Sequence, residues 1–126
     1  MIEETKIEHG GFIATLSGIV TSNEISEACA IGIELLHRQP YAFQIFIMRD
    51  IEDVTISARK MQLIAIQDAE EFRQYGVKKV AIVAESELAV GITNIYSSFH
   101  VDEDHQTETF QSFEDALVWV KAPLEV

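Results

Sequence analysis

Cysteine is almost missing from this chain: Cys29 is the only one in 126 residues. A lone cysteine excludes an intramolecular disulfide framework. Only two prolines occur, Pro40 and Pro123, and no low-complexity segment, repeat or linker separates them, so one domain spanning residues 1–126 is expected. No apolar run approaches the ~20 residues needed to cross a bilayer, and no membrane insertion is expected. The start, MIEETKIEH, lacks the basic-then-apolar order of a signal peptide, which together with the lone cysteine points to a cytoplasmic setting. Basic residues are scarce as well. Lys plus Arg number 9 against 21 Asp plus Glu, a formal charge of −12. Such a surface repels phosphate backbones and anionic lipid, which makes nucleic acid a poor partner and leaves a basic protein or a neutral ligand.

Apolar residues make up 48% of the chain, enough to build a core. Lys6–His9 and Phe12–Leu16 read as two short strands joined at Gly10-Gly11, with Gly18 ending the second. Thr21 and Glu24 have capping-box spacing for a helix reaching about Arg38, whose Ile25, Cys29, Gly32, Ile33 and Leu36 share one face. Phe43–Met48 is apolar apart from Gln44, as in a strand covered on both faces. Ser57 can cap a second helix to Tyr75, with Gly76 as its stop. Lys78–Ala84 is another buried-type strand, Ser86 opens a helix to about His100, and Thr107–Gln111 is a short strand. Ser112 starts the last helix. The order ββαβαβαβα predicts an α/β fold, a five-stranded, mostly parallel sheet covered by four helices.

Right-handed crossovers would align the helix N-termini along one sheet edge. The stretch Phe43–Ser57, FQIFIMRDIEDVTIS, is the most informative part of that edge. An apolar strand breaks off at Arg49-Asp50 and a Ser-capped helix follows, gathering charges and hydroxyls where α/β folds meet ligands and partners.

Several patterns in this order resemble the STAS-like group, and most of all the small stand-alone bacterial SpoIIAA-like proteins. They are Leu16-Ser17-Gly18 with Thr21–Ile25, then Phe43–Val54, Val80–Gly91 and Thr109–Val120. The resemblance implies the fold of anti-sigma-factor antagonists and a regulatory, protein-binding role. In the phospho-switched antagonists a serine opening the second helix is modified within an Asp-Ser-Ser/Ala-Gly context. The corresponding place is Val54–Arg59, which makes Ser57 the candidate phosphosite. Ile56 precedes it and Ala58 follows, so the local motif is absent. The resemblance also extends to lipid-exchange domains with an apolar ligand cavity.

The candidate contact residues are Arg49, Asp50, Asp53, Ser57, Met61, Ser86 and Gly91. Arg49, Asp50, Glu52 and Asp53 form a polar rim or a solvated loop. Asp50 and Asp53 have the residue types of a general acid/base pair, with no nucleophile placed beside them. Ser57 needs no more explanation than a cap worth about 1 kcal/mol. His100 to His105, HVDEDH, carries metal-ligand residue types at a spacing that fits no specific site, so it reads as a solvated acidic loop. Cys29, on an apolar helix face, reads as a small hydrophobe. Gly91, inside a helix, suits close packing or ligand approach. Ala58, Met61, Leu63, Ile64, Ala65 and Ile66 make the second helix apolar around most of its circumference, and the surplus surface predicts a homodimer.

No Gly-rich phosphate loop, Gly-x-Ser-x-Gly elbow or metal-binding histidine motif is present. The sequence therefore points to a non-enzymatic regulatory or protein-interaction domain, with no cofactor and no catalytic residues. Its alternative is a carrier of a small apolar molecule or lipid, with a cavity near Gly91 and Tyr96.

Overall fold

A computed structural model describes residues 1–87 and 105–123. The strands are β1 (Ile2–Glu8), β2 (Gly11–Thr21), β3 (Phe43–Thr55), β4 (Lys79–Ala84) and β5 (Gln106–Phe110). The helices among the described residues are α1 (Ser22–Arg38), α2 (Ala58–Tyr75) and α3 (Phe113–Lys121). All five strands form one sheet in chain order, β1-β2-β3-β4-β5. β1 is antiparallel to β2, and every other pairing is parallel. The α/β class and the mostly parallel five-stranded sheet are as the sequence predicts. The helix expected from Ser86 to about His100, with Gly91 and Tyr96, lies almost wholly outside the described residues.

Alternation along the strands divides the sheet into two apolar faces. Phe12, Ala14 and Leu16 of β2, Phe46 and Met48 of β3, and Val80, Ile82 and Ala84 of β4 pack with Ile25, Ala28, Cys29 and Leu36 of α1 and Met61, Ile64 and Phe72 of α2. Two crossovers advancing in the same direction put α1 and α2 on this same face. Among the described residues, the opposite face, with Ile13, Phe43, Ile45, Ala81 and Val83, receives α3 through Ala116 and Val120.

The helix ends follow the sequence signals. Thr21, Ser57 and Ser112 each cap a helix by accepting a backbone N–H three residues on. Gly76 ends α2 at φ 81°, the left-handed geometry that suits glycine.

The strand ends differ from expectation. The hairpin turns at His9-Gly10, with φ of 58° and 87°, and Gly11 already belongs to β2. A side chain at Gly11 would meet the Phe43 ring at 2.2 Å, so glycine there serves packing. Gly18 does not end β2, and Arg49-Asp50 does not end β3. Gly18 has φ 70° and Asp50 has φ 49°. The pairing passes from Ser17↔Arg49 to Gly18↔Ile51 and Ile19↔Asp53, leaving Asp50 and Glu52 as extra residues in β3. Both strands kink at the same level and then run on together to Thr21 and Thr55. A bulge absorbs residues that a linear reading takes for a loop.

Candidate functional site

Because β2 to β5 are parallel, their C-terminal ends share one edge, and the N-termini of α1 and α2 start there side by side. Ser22, the first residue of α1, is buried, and its Oγ accepts the backbone N–H of Ser57 at 2.5 Å. The Ser57 Oγ in turn accepts the Lys60 N–H at 3.3 Å, and the Lys60 ammonium donates to Asn23 Oδ1. The two helix starts are thus tied by hydroxyl, amide and ammonium groups contributed by both.

Asp50, Asp53, Ser57 and Ser86 are exposed at this edge, and Arg49 is exposed as well but lines a cleft on the other face of the sheet with Ile13, Ile47 and Phe113. Beyond the bulge β3 runs on beside β2 to Thr55, past Met48, the last residue it pairs with β4. The Asp53 carboxylate accepts its neighbour's amide, Val54 N, at 2.8 Å, an Asx contact that shapes the strand end. Met61 is the exception among the described candidates. It is fully buried in the main core, because it falls on the inner stripe of α2 with Ile64, Ala65, Asp68 and Phe72. It is therefore not a surface contact. Gly91 lies outside the described residues.

The outer stripe of α2 carries what Met61 does not. Arg59, Gln62, Leu63 and Ile66 are exposed, at the i, i+3, i+4, i+7 spacing of one helix face. Leu63 is 55% and Ile66 57% exposed. This stripe begins one turn beyond Ser57.

A second region has no counterpart in the expectations above. A groove of 460 Å³ runs between α1 and α2, lined by Cys29, Ala30, Ile33, Glu34, Ile64, Asp68 and Glu70 among others. At its floor the Cys29 thiol bonds to the Asp68 carboxylate. Burial first, and then that carboxylate, push the thiol well above its ordinary range, so it stays protonated and is a poor nucleophile. Behind the groove the Tyr41 hydroxyl donates to Gly32 O at 2.8 Å and accepts from Gln44 Nε2 at 2.8 Å. Burial raises the Tyr41 pKa as well. At the groove's far end His37 Nε2 lies 2.7 Å from Glu71 Oε2, and its ring stacks on Tyr75. The sequence held one signal for this region: Asp68 interrupts the apolar stripe of α2 at a core position.

Among the described residues no group of three or more His, Cys, Asp and Glu side chains is placed to hold a metal ion. Of the acidic segment His100 to His105, only His105 is described. It is buried, edge-on to Phe72 at 5.2 Å, so at that residue the segment belongs to the core and not to a solvated loop. No helix among the described residues is long and apolar enough to cross a membrane.

No family model matches the chain, and no curated protein does. In a comparison of folds, the chain is similar to the crystal structure of an uncharacterized protein of the DUF3478 family with a SpoIIAA-like fold from Shewanella loihica. The two are 18% identical, the match covers 95% of this chain and 92% of that one, and the TM-score is 0.49.

Proposed function

We propose that this chain is a non-enzymatic regulatory domain that docks a partner protein through the strand-to-helix edge and the outer stripe of α2. The observation that carries this reading is the pair Leu63 and Ile66, two large apolar side chains more than half exposed on adjacent turns. Polar Arg59, Gln62 and Gln67 flank them. Apolar anchors within a polar rim are what a protein interface desolvates. Asp50 and Asp53, exposed at the strand-to-helix edge, supply charges that can fix the orientation of docking. Ser57 is exposed at the same end, so a phosphate there would meet the N-terminus of α2 and change the charge of the contact.

Capture of proteins on the immobilised native chain, with the Leu63→Lys/Ile66→Lys double variant as control, tests this. A protein retained by the wild type and lost by the variant is expected. A second copy of the chain is one such partner, and light scattering on both proteins identifies it. A strictly monomeric chain whose captured proteins are the same with and without the two substitutions would overturn the proposal.

A further inference from the structure

The groove between α1 and α2 adjoins the outer stripe of α2 and shares Gln67 with its rim. Its α1 wall is Ser26, Cys29, Ala30, Ile33, Glu34 and His37. From Ser26 to His37 the chain makes eleven helical steps, about 16 Å at the helical rise. Two parallel helices therefore form an open trough as long as roughly three helical turns. The trough is apolar along its floor, through Cys29, Ile33 and Ile64 with the buried Asp68 among them, and acidic along its rim, through Glu34, Glu70 and Glu71. Among the described residues no lysine or arginine lines it. Three of the carboxylates are already engaged: Glu34 with Arg38 at 2.6 Å, Glu71 with His37 at 2.7 Å and Asp68 with the Cys29 thiol. Glu70 has no ion pair among the described residues and is exposed.

We infer that this trough is a docking groove for a basic amphipathic segment of a partner protein, whose apolar side chains enter the floor while its lysines or arginines meet Glu70 and Glu34. Charge complementarity selects the occupant. A chain carrying −12 overall, with carboxylates and no lysine or arginine among the described residues that flank the trough, favours a cationic partner and repels an acidic one. The elongated shape and the apolar floor fit a helix or extended segment better than a fully charged polyamine, which would leave the floor without an apolar contact.

The probe is a short fluorescent leucine–lysine peptide patterned at helical spacing, titrated by anisotropy into the native chain at low salt. Binding is expected, weakened about tenfold by Glu70→Lys and by Ala30→Trp, which fills the trough at an exposed position. Glu108→Lys on β5 changes the net charge as much as Glu70→Lys and is expected to leave binding within about twofold of wild type. Equal loss in Glu108→Lys would overturn the proposal, as would equal binding of an all-lysine peptide or no effect of Ala30→Trp. Full displacement of the peptide by equimolar spermidine would do so too, because the occupant would then be a free polyamine. Leu63→Ser/Ile66→Ser removes the exposed apolar pair without adding charge and should bind the peptide normally, so failure here and failure of the docking reading above are separate results.

Discussion

Lys79 lies 4.9 Å over the ring of Trp119, and its ammonium donates to the Trp119 carbonyl at 2.7 Å and to the Ala122 carbonyl at 2.8 Å. The first residue of β4 thereby satisfies the open C-terminal carbonyls of α3, where a positive charge is favoured by the helix dipole. Since α3 is the helix packed on the second face of the sheet, this one side chain fastens that layer. Lys79→Met keeps the apolar stem and removes the donor. It is expected to cost about 1–3 kcal/mol in urea unfolding, with the fluorescence of Trp119, the chain's one tryptophan, shifting early in the transition.

Gly32 sits inside α1, where alanine would ordinarily stabilise by about 1 kcal/mol. A Cβ there would stand 2.9 Å from Phe12 Cε2 and 3.2 Å from Gln44 Nε2. Phe12 is fully buried, and Gln44 is held by Tyr41, so neither gives way cheaply. Gly32→Ala should lower stability by about 1–3 kcal/mol. A rise in the thermal midpoint would show that the ring moves freely.

The two serines of the helix junction should rank opposite to their exposure. Ser57→Ala removes an exposed cap, at about 1 kcal/mol. Ser22→Ala leaves the Ser57 N–H without its acceptor in a half-buried place, at about 1–3 kcal/mol. A double-mutant cycle should show coupling between them, since both hydroxyls hold the same turn.

Alkaline pH should loosen the core. Cys29 has a folded-state pKa well above its ordinary 9.0, and Tyr41 is raised above its ordinary 10.0. For a group raised on folding, the contribution is complete below the unfolded value and is lost as pH climbs from there through the folded value. Stability should therefore begin to fall above pH 9.0 from Cys29 and above 10.0 from Tyr41, each by up to about 1.4 kcal/mol per pH unit. Cys29→Ser keeps a donor for Asp68 and does not titrate, so its urea midpoint should stay flatter over the first of these steps. An identical pH profile for the two proteins would remove the assignment.

Much of this architecture is legible in the amino acids. Thr21, Ser57, Ser112 and Gly76 sit where the helices begin and stop, because caps are local contacts that one short stretch of chain determines. Gly18 and Asp50 misled for the opposite reason. Each has the chemistry of a terminator, but Asp50 is an extra residue just before Ile51, the partner of Gly18, and the bulge they belong to is revealed only by the pairing. Met61 reads as a surface residue because apolar residues surround the first half of α2, and only the packed sheet shows which of them face inward. The partners of the buried Asp68 and Lys79 are illegible, since Cys29 and Trp119 lie on other elements.

The strand order has a kinetic side. Each strand pairs with the one before it in the chain, so no pairing has to wait for a later strand to slip between two that have already met. Every closure spans a single hairpin or crossover, and the entropy lost per closure stays small. The sheet can grow from β1 outward, each new strand meeting an edge that is already in place. For a largely parallel sheet, whose pairings are intrinsically slow to form, that sequential route shortens the time in which an open edge is exposed to other chains.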